Sequence, residues 1–191
     1  MGSARDHQVI GTAVFSAAAD VPGGRRPEVV VHPNAGYGGA WAIKTRQANA
    51  TPYAAGAAVG DAAGAIWQFD NMGPAGSVVV LLGAALRIDV SAVPAGMANH
   101  RFELYDAAPA AIADGAVWDL NGPDRAKYLG DLTIGAMVDK GSVLYSRIDG
   151  EHKPVRLADG SSSLWAVLVT EGGHVPGSAA VIAARLCTAG I

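Results

Sequence analysis

The residues that could carry chemistry are few and scattered. Of the five histidines, His7, His32, His100, His152 and His174, none lies at ligand spacing from another histidine, from Cys187 or from a pair of carboxylates, which a metal site needs. His152 and His174 sit beside turns and read as solvated loop residues. No Gly-x-Ser-x-Gly elbow occurs, and Ser161-Ser162-Ser163 after Asp159-Gly160 reads as a turn entering a strand. Gly36-Tyr37-Gly38-Gly39 has the glycines of a phosphate loop but neither a strand before, a helix after, nor a Lys-Ser/Thr pair. Asp114, Asp119, Asp124, Asp131 and Asp139 do not follow calcium-loop spacing, and turn formation or helix capping accounts for them. The sequon Asn49-Ala50-Thr51 is followed by Pro52 and is discounted. The expectation is a chain with no catalytic, cofactor-binding or metal-binding residue.

The aromatic residues offer a second kind of chemistry. Trp41, Trp67, Trp118 and Trp165 fall on strand-like patterns and are expected in the core. A carbohydrate platform would instead need them exposed beside polar side chains.

Composition narrows the class. Half of the 191 residues are hydrophobic, 25 are Gly, 10 are Pro and only 16% are charged, which suits short strands joined by many turns. So little charge leaves apolar surface to be buried against other chains. The net charge of −3, with no basic block beyond Arg25-Arg26, argues against direct nucleic-acid binding. A single Cys187 excludes an internal disulfide and a cysteine zinc site. The polar start Met1–Gln8 carries no signal-peptide pattern, and no stretch reaches the ~18 apolar residues of a membrane helix. Synthesis in a cytoplasm, with no membrane partner, is the expectation.

The elements that must position these residues are strands. Ser77–Val90 begins with the β-branched run Val78–Leu82 and continues with Leu86, Ile88 and Val90 alternating against Arg87 and Asp89. A buried helix is the alternative, but three consecutive valines and the absence of a 3.6-residue stripe favour one long strand. Coverage on both faces is expected at its start, and Gly83 marks a bulge or close backbone approach. Trp41, Ile43 and Thr45 alternate with Ala42, Lys44 and Arg46, which gives a first core strand. Ile66–Phe69 and Arg101–Asp106 also alternate, Trp67 and Phe69 against Ile66 and Gln68, and Phe102 and Leu104 against Arg101, Glu103 and Tyr105. Leu120–Leu129 reads as a short helix entered through Pro123 and ended by Gly130. Strands follow at Asp131–Met137, Ser142–Ile148 and Pro154–Leu157. Ser163–Thr170 reads as buried on both faces, and Ala179–Leu186 as closing the sheet.

The fold class expected is therefore all-β: a β-sandwich or jelly-roll-like domain over 41–191, an extended N-terminal arm over 1–40 and one short helix. In the arm, Val29, Val30 and Val31 are the residues able to add a strand to a neighbouring sheet edge, as an oligomer or capsid contact.

Three segments then carry a resemblance. Tyr53-Ala54-Ala55-Gly56 with Val59-Gly60, Phe102 with Leu104-Tyr105-Asp106 and Pro109, and Leu164-Trp165-Ala166-Val167-Leu168-Val169-Thr170 occur in the order seen in small structural proteins of tailed bacteriophages and prophages. The chain resembles that group over roughly 51–186, with Ala57 where the group carries Asp. The resemblance implies a non-enzymatic virion protein on the capsid surface, assembled in the host cytoplasm. It would be a head decoration or cement protein that binds the major capsid protein, often as a homotrimer. A neck or tail component is the next possibility. A carbohydrate-binding jelly-roll module is the alternative from a different class, since such scaffolds host many functions.

Overall fold

A computed structural model describes residues 37–190 in full; of the preceding segment it describes only the backbone of three short strands. These are β1 (His7–Ile10), β2 (Ala13–Ser16) and β3 (Val29–Val30), joined in the order β1-β2-β3. Val29 and Val30 thus pair with Phe15 and Val14 of the same chain. Val31 lies outside the described residues, as do the side chains of Val29 and Val30.

The regular structure of the rest is almost entirely strand. In chain order come β4 (Tyr37–Gly38), β5 (Ala42–Thr45), β6 (Ala58–Val59), β7 (Ile66–Phe69), β8 (Val78–Ile88) and β9 (His100–Tyr105). After a single 3₁₀ turn follow β10 (Tyr128–Ile134), β11 (Val138–Asp139), β12 (Leu144–Arg156), β13 (Leu164–Thr170) and β14 (Val181–Gly190). They form two antiparallel sheets, one ordered β10-β9-β13-β6 with β7 also on β13, the other β11-β12-β8-β14-β4 with β5 also on β14. This is the all-β, sandwich-like class expected from the strand cadence.

The two sheets share one core. Trp67, Phe69, Phe102, Leu104, Leu132 and Ile134 of the first sheet belong to the same cluster as Val79, Leu81, Leu86, Leu144, Ile182 and Leu186 of the second. Phe69 and Phe102 meet edge-to-face at 6.0 Å. Each such side chain contributes on the order of 2 kcal/mol by leaving water, so the apolar faces, rather than the turns, hold the sheets together.

Gly83 does mark a close approach. A Cβ there would stand 2.3 Å from the Ile148 carbonyl oxygen, which is impossible without backbone movement. The register slips on both flanks at this point. β12 carries Gly150, Glu151 and His152 opposite the single Leu82, and β14 passes from Cys187 to Thr188 while β8 passes from Gly83 to Leu81.

Several expectations need correction. The doubly covered part of β8 is Gly83–Leu86, not its start, where exposed Val78 alternates with buried Val79. The first core strand turns its aliphatic side chain outward: β5 packs Ala42 against the core and exposes Ile43 by 61%. Alternation shows that the two faces of a strand differ, but not which face is inward, and here Lys44 finds Asp61 Oδ1 at 3.1 Å and Gly64 O at 2.9 Å. The short helix is only the 3₁₀ turn Gly122–Asp124, capped by Asn121 and entered through Pro123, while Tyr128–Gly130 already belongs to β10. Ser142–Ile148 and Pro154–Leu157 are not two strands, since β12 runs through Asp149-Gly150 as a bulge. β14 does not close the sheet but lies between β8 and the edge strands β4 and β5. Because Tyr37-Gly38 pairs with Thr188 and Cys187, the sandwich begins before residue 41.

Candidate functional site

The largest concentration of buried polar groups lies at one end of the sandwich. Arg46 follows β5, Tyr53 lies in the next loop, Asp114 in the loop after β9, His100 at the start of β9, and His174 after β13. Arg46 is buried because every guanidinium nitrogen has work. Its Nε donates to the Tyr53 hydroxyl at 3.1 Å, Nη1 to Asn49 O at 2.5 Å and Nη2 to Thr51 O at 2.8 Å. The Tyr53 hydroxyl donates to Asp114 Oδ1 at 2.6 Å, which also accepts from Gly60 N at 2.9 Å. Asp114 Oδ2 stands 3.9 Å from Arg46 Nε, so the buried cation has its counter-charge.

Tyr53 also joins this network to the histidines. Its ring meets that of His174 edge-on at 5.4 Å, and His174 meets His100 at 6.2 Å. His174 Nδ1 lies 3.1 Å from Gly172 O and 3.5 Å from Thr170 Oγ1. His100 Nδ1 is buried with no hydrogen-bond partner among the described residues. Burial, and then the neighbouring His174, pushes the His100 pKa down to about 4. Burial likewise lowers that of His174, reinforced by the Arg46 charge and opposed by the Gly172 carbonyl. Burial and the Asp114 carboxylate hold the Tyr53 phenol above its ordinary value. At neutral pH both imidazoles are therefore uncharged and the phenol stays protonated.

A hydroxyl beside an imidazole is what a nucleophile needs. Thr170, however, is fully buried and donates to Gly172 O at 2.9 Å. The adjacent cavity, lined by His100, His174, Met97, Pro94 and Ile182 among others, has a volume of about 10 Å³, the room of one water. Among the described residues no group of three His, Cys, Asp or Glu could share a metal ion. The arrangement holds three loops onto the sandwich, through Tyr53, Asp114 and His174.

A second cluster lies on the first sheet. The buried Glu103 accepts from Arg101 and, at 2.7 Å, from the Tyr128 hydroxyl; Arg101 also reaches Glu171 at 3.4 Å. Trp118 Nε1 donates to the Tyr105 hydroxyl at 3.0 Å, with the Arg101 guanidinium 5.8 Å from the Trp118 ring. Ile112, Trp118 and Leu120 pack with Tyr105, Val167 and Val169, so the loop after β9 covers the outer face of this sheet.

The sequence placed these residues unevenly. His174 is not solvated but 5% exposed, and no local signal gives this, because its partners come from distant loops. Of the four tryptophans only Trp67 is fully buried, its Nε1 donating to Val59 O at 2.9 Å; Trp41, Trp118 and Trp165 are half-buried. The pairing of Arg46 with Asp114 likewise has no local signal, because the two lie in distant segments of the chain. No family model, no curated protein and no solved structure matches this chain.

Proposed function

We propose that the chain is a non-enzymatic structural protein of a tailed-bacteriophage virion, a decoration protein that binds the major capsid protein and stabilises the head. One observation carries the reading. The three segments that resemble phage structural proteins, around Tyr53–Gly60, Phe102–Asp106 and Leu164–Thr170, meet in one patch where β13 pairs with β6 on one side and β9 on the other. The resemblance thus follows a continuous structural unit, with Tyr53 in the loop clamp and Phe102, Leu104 and Leu168 in the core.

Two further features support it. Apart from His100, the buried polar groups of both clusters are engaged with one another or with backbone, which suits a protein whose task is to be rigid. Open sheet edges with exposed Ile43 and Val138 leave apolar surface for neighbours, including other copies of the chain in a homotrimer. A protein that binds only assembled shell shifts the equilibrium against disassembly by mass action. The carbohydrate reading is less well supported, because Trp118 and Tyr128 direct their polar atoms to Tyr105 and Glu103 rather than outward.

The reading is tested by mass spectrometry of density-purified particles. A copy number that is a fixed fraction of the major capsid protein supports it, and absence of the chain from intact particles refutes it.

A further inference from the structure

The outer faces of the two sheets differ. That of the first is covered by the loop carrying Trp118; that of the second carries a transverse row across five strands, Ile43, Ala183, Arg87, Tyr145 and Val138, each paired with the next and closed to solvent at Ala183. Their chain neighbours Ala42, Ile182, Ala184, Leu86, Ile88 and Leu144 belong to the core, so this row points away from it. The row ends in apolar side chains that are open to solvent, Ile43 at 61% and Val138 at 52%.

The next row on the same face holds Arg185, the covered Ala85 and Arg147. Arg185 and Arg87 lie 4.9 and 5.7 Å from the Trp41 ring. Asp89 pairs with Arg87 at 3.1 Å and Asp149 with Arg147 at 2.6 Å, while Arg185 has no acidic partner among the described residues. On a chain of net charge −3, these two rows hold three arginines against the two aspartates paired with them.

We infer that the outer face of the β8–β14 sheet is the surface by which the chain docks on a protein partner, a patch bearing carboxylates and apolar side chains. Arginine and aromatic residues with an apolar surround are the composition of interface centres, and a local excess of positive charge selects an acidic counterpart. Nucleic acid fits less well: two of the three guanidiniums are already paired, leaving too little free charge to track a phosphate backbone. The inference rests on the capsid reading and adds to it the face that is used.

The test is co-sedimentation of the purified full-length chain with capsids from particles assembled without it. Arg147→Glu with Arg185→Glu should weaken binding by about tenfold or more, since like charges would then oppose one another. The lysine pair Arg147→Lys with Arg185→Lys should retain most of it. Asp119→Lys, on the loop over the opposite sheet, should bind as the parent chain does. Should the double reversal unfold, Arg147→Glu alone, at a side chain more than half exposed, should still weaken binding by about threefold. Reversal variants that stay folded and bind as the parent does would overturn the choice of face while leaving the capsid reading intact. A parent chain that ignores capsids refutes both, and retention on naked duplex DNA in preference to capsids refutes the protein partner.

Discussion

Tyr53 and His174 exchange backbone hydrogen bonds, Tyr53 N to His174 O at 2.9 Å and His174 N to Tyr53 O at 3.2 Å, while their rings meet edge-on. This isolated bridge ties the loop after β5 to the loop after β13. Arg46 and Asp114 then lock it from the other side of Tyr53, so one phenol lies between a strand end and two loops.

Removing the cation of this lock should be costly. Arg46→Ala leaves Asp114 buried without its counter-charge and the Asn49 and Thr51 carbonyls without donors, a loss of about 3–5 kcal/mol. Tyr53→Phe keeps the ring packing and removes the hydroxyl, costing about 1–3 kcal/mol. Urea unfolding measures both, and an Arg46→Ala loss no larger than that of Tyr53→Phe would contradict the lock.

The buried imidazoles make stability depend on acid. His100 titrates near 6.5 when unfolded and at about 4 when folded, so the fold favours its neutral form. The contribution is fully present above pH 6.5, declines as pH falls from there and is lost below about 4, an effect on the order of 3 kcal/mol. His174, lowered as well, acts in the same direction. Cavity-lining His100 is faced by His174, Arg46 and Tyr53, with Asp114 behind Tyr53, so protonation adds charge where the nearest groups are mostly cationic or neutral. His100→Gln should flatten the decline in melting temperature between pH 6.5 and 4; an unchanged slope would refute the assignment.

At Gly83 the constraint is steric. Gly83→Ala would drive a Cβ into the Ile148 carbonyl, and the cost expected is about 1–3 kcal/mol or more, with the β8–β12 register disturbed. Hydrogen exchange along β12 reads this out, and protection equal to the parent chain at Ile148 and Asp149 would count against it.

Much of the sandwich was legible because burial on one side of a strand leaves a period of two. Phe102 and Leu104, Trp67 and Phe69, and the apolar run of β13 all lie where alternation and hydrophobicity put them. Alternation left the inward face of β5 open, because Lys44 and the following Arg46 are satisfied by Asp61 and Asp114, which reach them only in the fold. Gly150 read as a turn because its backbone is turn-like, with φ of 79°, yet the ladder resumes at Lys153 after a bulge. The helix expected after Asn121 stops at one turn because Tyr128 is needed in β10, paired with Tyr105 and bonded to Glu103. The clamp itself left no local trace, since Arg46, Tyr53, His100, Asp114 and His174 converge from five separate segments.

The N-terminal segment is expected to serve attachment rather than folding. Deleting residues 1–36 should leave the melting temperature of the sandwich within a few degrees and reduce retention on particles. Extending the deletion through residue 40 should lower stability further. It removes the pairing of Tyr37-Gly38 with β14, the bond from Gly38 N to Asn71 O at 2.6 Å and that from Thr188 Oγ1 to Tyr37 O at 3.4 Å. Equal melting temperatures for the two deletions would show that β4 adds nothing to the sandwich.

The most direct measurement is electron cryomicroscopy of purified particles at a resolution that traces strands. The expected result is a two-sheet sandwich seated on the outer surface of the capsid lattice, grouped in threes, with the β8–β14 sheet turned toward the major capsid protein. Particles whose capsid, neck and tail are fully accounted for by other chains, with this one recovered only as a free monomer, would contradict the account.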